Sequence, residues 1–152
     1  MIQRLYNSKY EIEPRMMLLA ISAPDKSFTE DQMVMYDFMT VYAHEFWEQG
    51  QNLHGDSGFK YSEFSARKQA VSEAIKALVK NGMLQVVMNN GFQFRATESG
   101  INCFSKMESS YAEEYKTQLK GILREYSNYS EQELHKLIRA KALKIASRIL
   151  TK

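Results

Sequence analysis

The chain has 152 residues, 44% of them hydrophobic and 25% charged, with a net charge of +2 at neutral pH. This is the balance of a globular protein with a core of its own; it excludes a disordered chain and leaves nucleic-acid or membrane binding to local clusters rather than overall charge. A single cysteine, Cys103, excludes a disulfide framework and a multi-cysteine zinc site, and with no leader-like run after Met1-Ile2-Gln3-Arg4 and no stretch near the ~20 apolar residues of a membrane span, a cytoplasmic protein is expected.

Pro14 to Ile21 is apolar nearly all round and reads as a buried first helix. Proline suits its first turn, where a missing N–H costs nothing. Ser22-Ala23-Pro24-Asp25 stops it. Three signals start the second helix: Thr29 as N-cap, Gln32 completing a capping box, and Phe28 with Met33 as a hydrophobic staple. It is expected to run to about Trp47, with Met35, Phe38, Met39, Tyr42 and Phe46 at helical spacing.

Glu48 to Tyr61 holds Gly50, Gly55 and Gly58 among short polar residues and reads as a long loop. A third helix spans about Ser62 to Asn81, with Phe64, Val71, Ile75, Leu78 and Val79 as its apolar stripe and Gly82 as its stop. On its other face Lys68, Ser72, Lys76 and Lys80 align, four residues apart.

Leu84 to Met88 is strand-like, Asn90-Gly91 is a strong hairpin turn signal, and Phe92 to Thr97 alternates, with Phe92, Phe94 and Ala96 on one face. Thr97 or Ser99 caps a long helix carrying Ile101, Phe104, Met107, Tyr111, Leu119, Ile122 and Leu123, slightly weakened by Gly121. Ser127-Asn128-Tyr129 breaks it. Ser130 and Glu133 form a second capping box for a last helix to about Leu150, with Leu134, Ile138, Ala142, Ile145 and Ile149 on one side. The order of elements gives the fold class: mainly α with one β-hairpin, a winged helix-turn-helix-like core over residues 1–100 and a C-terminal helical extension over residues 101–152.

Catalytic constellations are thin. A pairing of Cys103 with a histidine has no local signature. A metal site from His44, His54 and Asp56 matches no ligand spacing; His44 closing a helix end and His54 bonding loop backbone is the better reading. The glycines of the loop match neither a P-loop nor a dinucleotide fingerprint. No cofactor or metal is expected. Asp37, between Tyr36 and Phe38, is expected to be a buried carboxylate paired with Arg15 or Arg67, the alternative being a place on the polar side with Glu30.

Two surfaces are candidates for binding. The first is a DNA-contacting set of Lys68, Lys76 and Lys80 with Asn89, Asn90 and Arg95 of the hairpin. Placing Lys76 and Lys80 at the negative end of a helix also explains them, and Glu73 dilutes the patch. The second is a partner interface of Lys136, Arg139, Lys141, Lys144 and Arg148 on the last helix, with Tyr111 and Tyr115. A solvated face ordered by the helix dipole is the better explanation of the cations, and core packing explains the tyrosines equally well.

Several short runs carry a family resemblance: Tyr6-Asn7-Ser8, Arg15 with Leu18-Leu19, Tyr36-Asp37-Phe38, Leu53-His54-Gly55, Glu63, Arg67, Gly82-Met83 and Phe94-Arg95-Ala96-Thr97-Glu98. In this order the chain resembles the middle component of bacterial ABC-three-component systems and the related small subunit of Lamassu-type anti-phage defence. The resemblance covers about residues 6–140. It implies a non-catalytic accessory subunit that bridges or regulates an SMC/Rad50-like coiled-coil ATPase and an effector nuclease, with double-stranded DNA as a further partner and no membrane. A free-standing winged-helix transcription regulator is the alternative, and an enzyme the least favoured reading.

Overall fold

The computed structural model describes residues 9–53 and 64–150. Helix α1 spans Lys9–Ser22, α2 Glu30–Val41, α3 Phe64–Lys80, strand β1 Leu84–Met88, β2 Phe92–Ala96, then α4 Glu98–Phe104, α5 Ser110–Tyr126 and α6 Glu131–Leu150. The fold is mainly helical with one two-stranded antiparallel hairpin.

Helix α2 is the hub. Its start is fixed as the sequence indicates: Gln32 N–H donates to Thr29 Oγ1 at 3.0 Å, and Thr29 N–H donates to Gln32 Oε1 at 2.9 Å. Phe28 and Met33, the staple pair, are both buried. Every residue from Met33 to Val41 is buried, because α1, α3, α5 and α6 surround the helix. Phe38 sits fully inside, edge-on to Phe64 with centroids 5.2 Å apart and tilted against Tyr42 at 5.1 Å. Such pairs add about 0.5–1.5 kcal/mol each beyond the area they bury.

Three boundaries differ from the sequence reading. Helix α1 begins at Lys9, so Pro14 lies inside it rather than at its first turn, deleting one i→i−4 bond. Helix α2 stops at Val41, short of Trp47. Tyr42 leaves helical geometry at φ −118° and forms an isolated bridge with Asn52, while Leu53 N–H donates to Val41 O at 2.8 Å. The returning chain thus takes backbone groups that a longer helix would have needed, and Ala43–Glu45 makes a 3-10 turn instead. The expected long fourth helix is two helices: α4 ends at Phe104, and α5 restarts with Ser109 as N-cap, accepting from Ala112 N–H at 3.1 Å. The hairpin keeps its expected bounds: Met88 stands opposite Phe92, and Asn89 to Gly91 connect the strands.

Other signals hold. Gly82 closes α3 at φ +76°, Thr97 caps α4, and Ser130 with Glu133 caps α6. The cluster of buried side chains runs from Ile12 on α1 to Ile138 on α6. The segment before α2 also touches the hairpin: Phe28 and Phe94 exchange backbone hydrogen bonds of 2.9 and 2.8 Å, a one-residue strand beside β2.

Candidate interaction site

Asp37 is fully buried, and three elements converge on it. Arg15 on α1 donates from Nε to Oδ1 and from an Nη to Oδ2, both at 3.0 Å. Arg67 on α3 donates to Oδ2 at 2.7 Å. Tyr115 on α5 donates its hydroxyl to Oδ1 at 2.8 Å. The expected pairing therefore holds with both arginines at once. Burial works against ionisation of Asp37, but the two guanidinium groups outweigh it and hold its carboxyl below the usual range. Arg15 is likewise disfavoured by burial and more than compensated by Asp37. Burial pushes the Tyr111 phenol up to about 12 and that of Tyr115 well above its ordinary value. Both Asp37 oxygens are occupied by strong donors, so the carboxylate ties four helices together instead of presenting a base.

Tyr115 belongs to this cluster and not to an outer surface. It is completely buried, which removes it from the partner interface proposed for it. Tyr111, its companion in that set, is half-buried.

The turn after α2 is also held by α5. Gln51 N–H donates to Gln118 Oε1 at 3.0 Å, Tyr126 donates its hydroxyl to Phe46 O, and the Trp47 ring lies against Gly121. A Cβ on Gly121 would stand 2.5 Å from that ring. The glycine is thus a seat for Trp47, a role that helix propensity alone did not reveal.

His44 is exposed, with Nδ1 3.3 Å from Gly50 O and its backbone N–H donating to Asn52 Oδ1. It therefore helps close the turn. His54, Gly55, Asp56 and Gly58 lie outside the described residues, as do Tyr6-Asn7-Ser8 and Glu63. Among the described residues no group of three His, Cys, Asp or Glu side chains is placed to hold a metal.

On α3, Lys68, Lys76 and Lys80 are all exposed. Lys68 reaches Asp31 at 3.6 Å, a surface pair worth about 0–1 kcal/mol. Exposed Glu73 accepts from Gln69 at 3.0 Å on the same helix. At the hairpin turn, Asn89 and Asn90 are exposed. Arg95 is not at the tip: it pairs with Gln85 near the hairpin base, half-buried, with a buried Nε that has no hydrogen-bond partner.

The hairpin carries an apolar face. Leu84, Val86 and Met88 stand opposite Ala96, Phe94 and Phe92. Its base is buried, Leu84 at 2% and Ala96 at 5% exposure, and its tip is not, with Met88 at 70% and Phe92 at 66%.

Compared with known protein families, residues 5–148 match the ABC-three component (ABC-3C) system Middle Component 2. The chain belongs to that family. No curated protein and no solved structure matches the chain. A middle component of a multi-component system has protein partners, and no helix among the described residues is long and apolar enough to cross a membrane.

On α6 of this middle component, Leu134 and Ile138 face the core while Lys136, Arg139 and Lys144 are exposed and Lys141 is half-buried. The side chain of Arg148, like those of Ile145 and Ile149, lies outside the described residues. Leu143 adds an apolar side chain, 66% exposed, among these cations.

Proposed function

We propose that this middle component is a non-catalytic accessory subunit that docks partner proteins, bridging or regulating an SMC/Rad50-like coiled-coil ATPase and an effector nuclease in bacterial anti-phage or anti-plasmid defence, as in Lamassu-type systems. The observation that carries the reading is the apolar hairpin face, with Val86 at 44%, Met88 at 70% and Phe92 at 66% exposure. A phosphate backbone is bound by cations and hydrogen-bond donors, whereas a protein partner gains by covering such side chains. The occupied Asp37 oxygens agree with a structural rather than a reactive core.

We also read residues up to the hairpin as a winged-helix core. Three helices precede a hairpin, and the Phe28–Phe94 bridge lies where a third strand would run beside it.

The test is co-purification of the full chain with its ATPase after Met88→Asp and Phe92→Asp. The double variant should fold with an unchanged melting temperature, since surface changes of this kind alter stability by about 0.5 kcal/mol or less, and should lose the ATPase. Retention of the complex refutes hairpin docking, and turnover of nucleotide or nucleic acid by the isolated chain refutes the non-catalytic assignment.

One observation favours the second reading, a free-standing winged-helix regulator: the row of exposed Lys68, Lys76 and Lys80 on α3. Sequence-preferring duplex binding by the chain alone, with a steep salt dependence that Lys76→Glu and Lys80→Glu make shallower, selects it.

A further inference from the structure

On a surface that includes no residue of β1 or β2, α1, α4, α5 and the chain around the start of α2 leave an open groove. Its two hollows, of about 510 and 370 Å3, meet at Ser22, Lys120 and Leu123. The floor is apolar, built from Leu18, Ile21, Phe104 and Leu119. The rim is basic: Lys116 and Lys120 border the first hollow, and Lys26, Lys120 and Arg124 the second. No aspartate or glutamate lines either hollow. Lys116 is held by Glu113 at 2.9 Å and by the Met107 carbonyl at 2.7 Å, while Lys26, Lys120 and Arg124 are exposed beside the groove.

Shape narrows the occupant. Along α5 and its C-cap the lining recurs at Lys116, Leu119, Lys120, Leu123, Arg124 and Ser127. That stripe covers about 16 Å at 1.5 Å per residue, the length of roughly three helical turns. A trough of this length with an apolar floor suits a helix laying side chains at i, i+3 or i+4 and i+7 into it. Charge narrows it further. The rim offers three exposed cations, so the flanks of that helix carry carboxylates. Helix α6 of a second copy fits poorly, because its exposed Lys136, Arg139 and Lys144 are repelled by the rim. Nucleic acid fits the rim but not the floor, where phosphates would lose water without compensation.

We propose that the groove between α1, α4 and α5 docks an acidic amphipathic helix of a partner protein, apolar side chains over Leu18, Ile21, Leu119 and Leu123, carboxylates against Lys26, Lys120 and Arg124. This surface is separate from the hairpin face and stands without it.

The full chain is titrated by fluorescence anisotropy with labelled helical peptides of about fifteen residues. The first carries leucines at i, i+4 and i+7 flanked by glutamates. The second has lysines for the glutamates, and the third has the leucines scattered. The glutamate peptide should bind in the micromolar range and the other two should not. Lys120→Glu with Arg124→Glu should weaken it at least about tenfold, and peptide-induced methyl shifts in the unsubstituted chain should fall on Ile21, Leu119 and Leu123. Met88→Asp with Phe92→Asp should leave peptide affinity unchanged, which separates this groove from the hairpin. Equal binding of the lysine or scattered peptide, indifference to Lys120→Glu and Arg124→Glu, or methyl shifts elsewhere overturns the proposal. Displacement of the peptide by duplex DNA at matching concentration, or self-association that covers these methyls, also overturns it by naming another occupant.

Discussion

Replacing Asp37 by asparagine keeps the shape of the buried cluster and removes its anion. Asparagine retains one acceptor, so the bonds from Arg15 Nε and the Tyr115 hydroxyl to Oδ1 can persist. Its amide then directs hydrogens at the Arg15 Nη and Arg67 donors that Oδ2 had accepted at 3.0 and 2.7 Å. Two charge-assisted bonds are lost, at about 1.5–3 kcal/mol each. Two buried guanidinium groups also lose the carboxylate they share, which sets the cost of breaking such a site at about 3–5 kcal/mol. Against a total stability of about 5–15 kcal/mol, Asp37→Asn should unfold at markedly lower urea, with a melting temperature lower by about 6–20 °C. Far-UV circular dichroism in urea measures it. Changing Arg15 and Arg67 to Met, Asp37 to Leu and Tyr115 to Phe together should recover most of the loss, since an apolar cluster has no charge to strand. Acid provides an independent arm. The folded carboxyl lies below its unfolded value of about 3.8, so its stabilisation is present above that pH and fades as pH falls through the folded value. The acid limb should be shallower in Asp37→Asn. A single variant within about 1 kcal/mol of the parent, or a fourfold variant no better than the single one, would refute the electrostatic reasoning.

Gly121→Ala should destabilise despite the gain of about 1 kcal/mol in helix propensity. The new methyl would stand 2.5 Å from the Trp47 ring, and overpacking costs about 1–3 kcal/mol. Trp47 is the sole tryptophan, so a changed emission maximum reports its displacement, and an unshifted spectrum with raised stability counts against the seat. Tyr111→Phe should flatten the alkaline limb of stability. Its folded phenol titrates at about 12 against 10.0 for an ordinary tyrosine, so the stabilisation is present below pH 10 and is lost as pH rises towards 12. Urea midpoints at pH 8 and pH 11 should converge more in the variant; an identical fall in both proteins would discard this origin.

Local rules read most of the helices correctly where a side chain and its own backbone settle the matter. Thr29 with Gln32, Ser130 with Glu133, Thr97 and Gly82 act within a few residues, and each is where it was expected. What failed depends on distant chain. The end of α2 is set by Asn52 and Leu53 returning alongside it, and periodicity continuing through Phe46 cannot register that. Pro14 is carried inside α1 because the apolar face on either side is buried against the rest of the core. The break before α5 falls between Ser105 and Ser109, where the apolar spacing of Phe104, Met107 and Tyr111 continues and so gives no sign of it. The Asp37 pair was legible from a carboxylate set among aromatics, with two arginines to choose from. Tyr115 was not, since a tyrosine on an amphipathic helix looks the same whether it faces a partner or a buried acid 78 positions away. Asn89 and Asn90 stand at the exposed turn as placed, but the apolar side chains beside them became a surface only when strand register put Met88 against Phe92.

Because the Tyr115 hydroxyl completes the coordination of Asp37, the first three helices and the hairpin are not a detachable module. Anyone transplanting this segment into a chimera, or trimming the gene for expression, should carry the chain through at least Ile138. A cut ahead of Ser110 strips Leu119 and Ile122 from the interior and leaves the acid short of one donor.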